Sequence, residues 1–310
     1  MKRWVVSGML AAVAVCGPSV WAAGAGETAY SFLKIGPDAR AEAMGGAYTG
    51  LADGPGGMYY NPAALARVGS PQFMATYNNW LTDIQSGFIA CALPLGARSH
   101  FGASVQYLDY GDFAARDALG NPRAGFNASD VALTAGFALP IGARSSAGLS
   151  GHFITESIDG ESSSALSVDL GFLRDFGDSR TRVGLAIRNL GAQTGSMGTG
   201  PKDDLATVFA AGFTHRLQGA PVVAAADLLK PTDGDFAVAA GVEVDALRPL
   251  ALRLGYNGLI GQVDTGSDKD TWAGLTFGAG FSIDRVVIDY AYGSYSELGG
   301  SHRFTLRTGL

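Results

Sequence analysis

The sequence predicts an all-β protein: a transmembrane antiparallel β-barrel of about 14 strands with an N-terminal hatch or plug segment. Three observations carry this prediction. Past residue 70, apolar and polar residues alternate with the period of two that a strand imposes. The connections between these segments alternate between short and long, as in outer-membrane barrels whose short turns face the periplasm. The chain also opens with an export signal.

Of these, the alternation is the strongest. In the last ten residues, SHRFTLRTGL, His302, Phe304, Leu306, Thr308 and Leu310 share one face; Ser301, Arg303, Thr305, Arg307 and Gly309 share the other. Leu250, Leu252, Leu254 and Tyr256 likewise oppose Ala251, Arg253, Gly255 and Asn257. Lipid outside and a polar lumen inside account for such a division. The expected strands are, approximately, 72–80, 86–95, 100–110, 128–140, 145–156, 164–175, 181–190, 205–217, 221–229, 235–245, 249–258, 270–283, 285–293 and 301–310.

Tight connections are expected at 96–99, 142–144, 176–180, 218–220, 246–248 and Asp284. Longer ones are expected at 111–127, 157–163, 191–204, 259–269 and 294–300. The corner Leu93 to Ser99, LPLGARS, recurs as LPIGARS at Leu139 to Ser145, with proline ending the strand and glycine making the bend. A propeller would show a repeat of blade length, which is not seen, and sandwich strands are usually shorter.

The export signal consists of Lys2-Arg3, an apolar run from Trp4 to Cys16, a break at Gly17-Pro18 and the small-residue site Val20-Trp21-Ala22. It places a signal peptide at 1–22, cut after Ala22, with Ala25 as the second choice, and sends the chain to the bacterial outer membrane. The run is too short to span a bilayer as a helix. Cys91 is then the one cysteine left, so no intramolecular disulfide forms, and its apolar surroundings make it a small packing residue. A net charge of −6 without a basic cluster argues against nucleic acid as a partner. The 45 glycines suit strands in a closely curved wall around a lumen that is open or holds a plug.

Residues 23–70 precede the barrel at 71–310 and do not alternate. Pro37 to Met44 reads as a short helix leaving through Gly45-Gly46, Gly54 to Gly57 as a turn-rich link, and Ala63 to Ala66 as a helical turn after Asn61-Pro62. Too short for a core of its own, this segment must cover its apolar residues against a surface, and the lumen is the nearest. A periplasmic tail packed under the rim is the other way to cover them.

The stretch from Phe32 to Ala66 resembles the amino-terminal signature of the PorV/PorQ family, within the FadL-like superfamily of 14-stranded barrels. The matching pieces are Phe32-Leu33 with Ile35-Gly36, Ala39-Arg40-Ala41, Met44-Gly45-Gly46-Ala47, Ala52-Asp53 and Asn61-Pro62-Ala63. Gly54-Pro55-Gly56-Gly57 departs from the acidic and small residues usual there, and Leu310 departs from the usual terminal aromatic residue. The resemblance implies two functions. PorV-like proteins bind exported client proteins and hand them on with the secretion machinery. FadL-like proteins carry hydrophobic ligands across the outer membrane past a hatch. The PorV-like reading is preferred here because the signature is nearer to it, with the outer loops 111–127, 191–204 and 259–269 as docking surfaces.

The candidate hatch and gate residues are Arg40, Gly45, Gly46, Asp53, Asn61, Pro62 and Ala63. Charges expected to face the lumen include Asp169, Arg182, Arg188, Glu243, Arg253, Arg285, Asp289, Arg303 and Arg307. Most should pair with each other or with the hatch. Arg40 is the one to pair with a wall carboxylate, Asp289 or Glu243, tying plug to wall. No catalytic residue, metal site or cofactor is expected. The four histidines are not at metal-ligand spacing, and no G-x-S-x-G elbow occurs. An outer-membrane hydrolase, the remaining alternative, would require a Ser and a His on adjacent strands within hydrogen-bond reach.

Overall fold

A computed structural model describes residues 28–309, apart from 83, 97, 118, 178, 199, 248, 263 and 264. The expected signal peptide 1–22, its cleavage site and Leu310 lie outside the described residues.

Fourteen long strands form the wall: β1 (Gln72–Asn79), β2 (Gln85–Pro94), β3 (His100–Phe113), β4 (Phe126–Ile141), β5 (Ser145–Ile158), β6 (Glu161–Phe176), β7 (Thr181–Gly195), β8 (Val208–Arg216), β9 (Val222–Pro231), β10 (Ala237–Leu247), β11 (Leu250–Asn257), β12 (Leu275–Ile283), β13 (Val286–Ser294) and β14 (Gly300–Gly309). Each pairs antiparallel with the next, and β14 pairs with β1 from Gly309↔Gln72 to His302↔Asn79, which closes the ring. Closure leaves no unpaired edge, the condition for strands in a bilayer. Among the described residues no helix is long and apolar enough to cross a membrane; the strands are what could.

The two faces differ as the alternation requires. Leu254 is 62% exposed and Phe304 50%, while their neighbours Arg253 and Arg303 are 7% and 0% exposed. The apolar face is thus outside and the charged face inside, the reverse of a water-soluble barrel. Cys91 sits half-buried on the outer face.

Two expected connections differ. Residues 157–163 are not a long loop: β5 and β6 run on to a two-residue turn at Asp159-Gly160, both at positive φ (51° and 81°). That is the backbone a tight hairpin needs to match strand twist, and it lets neighbouring strands grow to 14–16 residues on this flank. Residues 270–274 are not strand. Asp268–Trp272 coils into a 3-10 turn, held by a capping box between Ser267 and Asp270, and β12 begins at Leu275.

The N-terminal segment touches the inward faces of strands all around the ring, so it lies within the barrel. Thr28–Ala29 pairs parallel with Asp204–Leu205 on the long-connection side. Thr28 and Lys34 both bond Asp233, in the β9–β10 connection of that same side. At the opposite end Arg67 reaches Asp175 (2.8 Å), next to a short turn. The segment therefore descends from one mouth to the other.

Four short helical pieces shape it, the first a 3-10 turn at Ser31–Lys34. Helix α1 (Ala39–Ala43) is capped by the Asp38 carboxylate, which accepts from Arg40 N at 2.8 Å, and leaves through Gly45 and Gly46 at φ 69° and 79°. The expected link at Gly54 to Gly57 is instead the first turn of helix α2 (Gly54–Tyr60). Glycine is a poor helix former, but a Cβ at Gly56 would strike Met74, and one at Gly57 would press on Ala64 and Ala52. Close packing overrides propensity here. The turn Pro62–Arg67 is 3-10, capped by Asn61 Oδ1 accepting from Ala63 N at 3.1 Å.

The apolar core lies between segment and wall. Met44, Tyr48 and Tyr60 pack with Leu173, Val223 and Leu229. Tyr30, Phe32 and Leu33 pack with Leu108, Ile154 and Leu205. Wall glycines make room for the segment's backbone. A Cβ on Gly255 would run into Gly45 and Met44, on Gly184 into Thr49, and on Gly148 into Pro62 and Ala63.

A side chain at Gly255 should therefore expel the segment without opening the wall. We expect Gly255→Leu to cost about 1–3 kcal/mol through overpacking and to make residues 38–60 protease-sensitive, while the barrel keeps its heat-modifiable gel mobility. Unchanged protease resistance would show that the glycine is not needed for this approach.

Candidate functional site: the filled lumen

Six charged side chains join the segment to the wall in a closed ring of alternating sign. Arg40 on α1 donates Nε and Nη2 to the two Glu243 oxygens, each at 2.7 Å. Arg253 donates Nε to Glu243 (2.7 Å) and Nη1 to Asp289 (2.7 Å). Arg307 donates to Asp289 (3.3 Å) and to Asp53 (2.9 Å), and Asp53 accepts from Arg40 Nη1 at 2.6 Å. The strand registers set this up: Glu243 on β10 faces Arg253 on β11, and Asp289 on β13 lies one strand from Arg307 on β14. The expected pairing of Arg40 with Glu243 is present, and it is bidentate, the stronger and more directional form.

Asp53 enters as the residue before α2. Burial alone would raise its carboxyl, but Arg40 and Arg307, with a hydrogen bond from Tyr48, hold it well below the usual carboxylate range. Asp38 differs. Burial raises it against the pull of Arg307, and its Oδ2 has no hydrogen-bond partner in the described structure.

Three further ties fasten the segment. Arg303, fully buried on β14, pairs with Glu42 at 2.6 Å under the ring of Trp80. Asp227 on β9 accepts the backbone N–H groups of Tyr48 (2.9 Å) and Thr49 (2.7 Å). Asn61 donates its amide to the Thr49, Phe172 and Leu185 carbonyls at 3.1–3.3 Å, so it binds segment and wall together. Pro62 and Ala63 lie against the inner wall at Gly148 and Gly171.

The expected lumen charges do not all meet. Glu243, Arg253 and Asp289 join Arg40 and Asp53 in the ring. Asp169 and Arg188 lie elsewhere, by a separate cavity. Arg182 pairs with Asp175 (2.8 Å) near the short-turn end. Arg285 is a correction: it stands exposed in the β12–β13 turn. Parity along a strand assigns a face only to strand residues, and Arg285 belongs to the turn. The sequence reading missed Asp38, Glu42, Tyr48, His152 and Asp227. Asp227, a lone carboxylate in the apolar run VVAAADLL, carried the clearest signal of the five.

The cavity is lined on one side by Leu33, Met58, Tyr59 and Phe88, and on the other by polar wall residues. His152 lies between the Thr134 hydroxyl (2.9 Å to Nδ1) and the Asp169 carboxylate (2.8 Å from Nε2). These three residues stand on adjacent strands β4, β5 and β6, with a threonine where the hydrolase reading asked for a serine. The N–H groups flanking Thr134 are committed to strand ladders on both sides, so no free donor pair faces it to hold an oxyanion. The array reads as a cross-strand polar brace. Among the described residues, no group of three or more His, Cys, Asp or Glu side chains is placed to hold a metal ion.

No protein-family model matches the chain, PorV/PorQ included, and no curated protein matches it. Solved structures do. The CymD monoaromatic hydrocarbon channel covers 89% of this chain and 98% of its own, at 13% identity and a TM-score of 0.63. The Pseudomonas putida toluene transporter TodX covers 88% and 96%, at 14% identity and a TM-score of 0.59. The chain thus shares the fold of these two proteins.

Removing one member of a buried charge network strands its partners. We expect Glu243→Gln to cost about 3–5 kcal/mol, read as a fall in chemical-denaturation midpoint with loosening of residues 38–53. The ring should also respond to pH. Asp53 is depressed in the folded state, so its contribution is complete above its ordinary value of 3.8 and is lost as pH falls toward the depressed one. Acidification from pH 7 to about 3 should lower thermal stability in the parent protein, and less so in Asp53→Asn. Equal falls in both would exclude Asp53 as the titrating group.

Proposed function

We propose that this protein is an outer-membrane channel for the uptake of small hydrophobic molecules, with residues 28–68 acting as its hatch. The observation that carries this reading is the lumen itself. It holds a folded segment, tied to the wall by charges and packed against it by apolar side chains, where a general porin would hold water. The ion pairs are specific and reversible, as a gate requires, and Asn61-Pro62-Ala63 forms the pivot at the short-turn end. Two solved proteins of the same fold are described as a hydrocarbon channel and a toluene transporter, which agrees with this reading. On it, residues 1–22 are the signal peptide, residues 23–70 the hatch and its flanks, and residues 71–310 the membrane-embedded barrel. Membrane lipid is its immediate partner, and catalysis is no part of its role.

The secretion reading, in which outer loops dock an exported client, rests on the PorV-like signature alone.

Two measurements test the channel reading. Cells dependent on a small aromatic hydrocarbon at limiting concentration should grow faster when this chain is expressed, and Asn61→Ala should blunt the gain. A barrel lacking residues 27–66 should insert and leak small solutes in a liposome-swelling assay. If the deleted barrel conducts no more than the intact one, the segment is not a hatch. If exported proteins co-purify with the barrel and hydrocarbon uptake is unchanged, the secretion reading replaces this one.

A further inference from the structure

Two carboxylates oppose each other at the long-connection mouth. Asp130 on β4 and Glu156 on β5 are direct cross-strand partners on the inward face of the wall. Like charges placed directly opposite destabilise a sheet. Asp130 is 1% exposed. Its Oδ2 accepts from the Tyr110 hydroxyl at 2.9 Å, and its Oδ1 is buried with no hydrogen-bond partner in the described structure. Among the described residues, no lysine or arginine forms an ion pair with either carboxylate. In the charge ring, by contrast, every carboxylate takes two guanidinium groups.

The strand registers set out a row of inward residues at this level: Leu108 on β3, Asp130, Glu156, and Ser163 on β6. Tyr30 of the N-terminal segment donates its hydroxyl to Ser163 at 3.0 Å, so the segment reaches the end of the row. The next inward pair down the wall is Ala132 and Ile154, which pack with Leu108, Tyr30 and Phe32 in the apolar cluster of this flank. The pair therefore stands on an apolar floor. Exposed acids around the mouth, Asp112, Asp159, Glu161, Asp203, Asp204 and Asp235, outnumber the exposed bases there, and Asp203 lies close enough to Glu156 to repel it. An excess of one sign of charge around a cleft raises the local concentration of ions of the other sign.

What the pair lacks is a positive charge. A buried carboxylate oxygen without a donor is costly, and so is the repulsion between opposed carboxylates. A cation between them relieves both. Calcium asks for about six to eight oxygen ligands, and two carboxylates on an apolar floor supply too few. An ammonium offers three N–H donors and no acceptor. Asp130 Oδ1 and Glu156 can take two of them, in charge-assisted bonds. Ser163 is the next acceptor along the row. The floor of Leu108 and Ile154 then suits an apolar body attached to the nitrogen.

We propose that Asp130 and Glu156 form a cation subsite at the long-connection mouth, and that its occupant is the ammonium group of a small apolar amine. This rests on the channel reading and narrows its ligand class. The amine is drawn in by the acidic mouth and held by the two carboxylates. Its apolar body lies toward Tyr30 and Phe32, the first part of the N-terminal segment that an entering molecule meets.

The test uses the full mature protein in detergent at pH 7, titrated by calorimetry with benzylamine, which is cationic at that pH, and with benzyl alcohol, a neutral molecule of similar size. Benzylamine should bind about tenfold tighter or more, the effect of a charge-assisted hydrogen bond. Glu156→Gln and Asp130→Asn, which remove charge and keep shape, should each abolish that preference. Glu161→Gln, which removes an exposed acid of the same mouth, should retain it. Heat-modifiable mobility shows that each variant is folded. Equal affinity for the two probes means that the pair holds a proton in place of a ligand; it overturns the proposal and leaves the channel reading standing. A preference that survives both pair variants, or that Glu161→Gln removes as well, assigns the effect to the mouth as a whole and overturns the subsite. Calcium chloride that binds the parent protein, fails to bind Glu156→Gln and excludes benzylamine overturns the ammonium assignment in favour of a metal ion. Failure of both probes to bind overturns the subsite, and the hydrocarbon-dependent growth assay then decides the channel reading separately.

Discussion

The ring of Arg40, Glu243, Arg253, Asp289, Arg307 and Asp53 is the constraint on which the rest of the interior depends. Buried charges in a closed barrel are costly unless each is paired and its lone pairs are used. Here the cost of burial is offset by alternation. Each carboxylate in the ring takes two guanidinium groups, and each guanidinium takes two carboxylates. No member can leave without exposing two others. Because two members belong to the N-terminal segment and four to the wall, this condition also fixes where the segment sits.

Apolar contacts divide the remaining work. On the flank of β3 to β7 the segment is held by packing, through Leu33 against Ile154 and Leu65 beside Ala138. On the flank of β10 to β14 it is held by charge. Electrostatic contacts are directional and respond to pH and to ligand ions, whereas packing contacts respond to shape. A segment fastened by different forces on its two sides can loosen on one and stay seated on the other.

How much of this could be read from the sequence depended on how local the information was. Face assignment is local, so Arg303, Arg307, Arg253 and Asp289 were placed inside by parity alone; three are buried and Arg307 is half-buried. Arg285 failed because a turn residue has no face. The 14 strands were legible for the same reason, and the Asp159-Gly160 hairpin was hidden because its flanks are too polar to look like strand. Helix α2 was illegible. Nothing local makes a helix of Gly-Pro-Gly-Gly, and only the neighbours Met74 and Ala64 reveal why larger residues are excluded. The ring could be suspected and not drawn. Arg40 was matched to Glu243 or Asp289, but which carboxylate it takes depends on strand tilt and register, quantities distributed over the whole sheet.

The seam between β14 and β1 carries one more consequence. Arg303 and Arg307 lie on the last strand of the chain, while their partners Glu42 and Asp53 lie before the first strand. The segment that fills the lumen precedes the wall in the chain, yet two of its anchors stand on the strand whose pairing with β1 closes the ring. Enclosure and locking must therefore coincide: the cylinder cannot shut correctly around an empty interior without leaving both arginines stranded in a dry wall. Pairing of β14 with β1 therefore has its lowest free energy when Glu42 and Asp53 already stand inside the lumen.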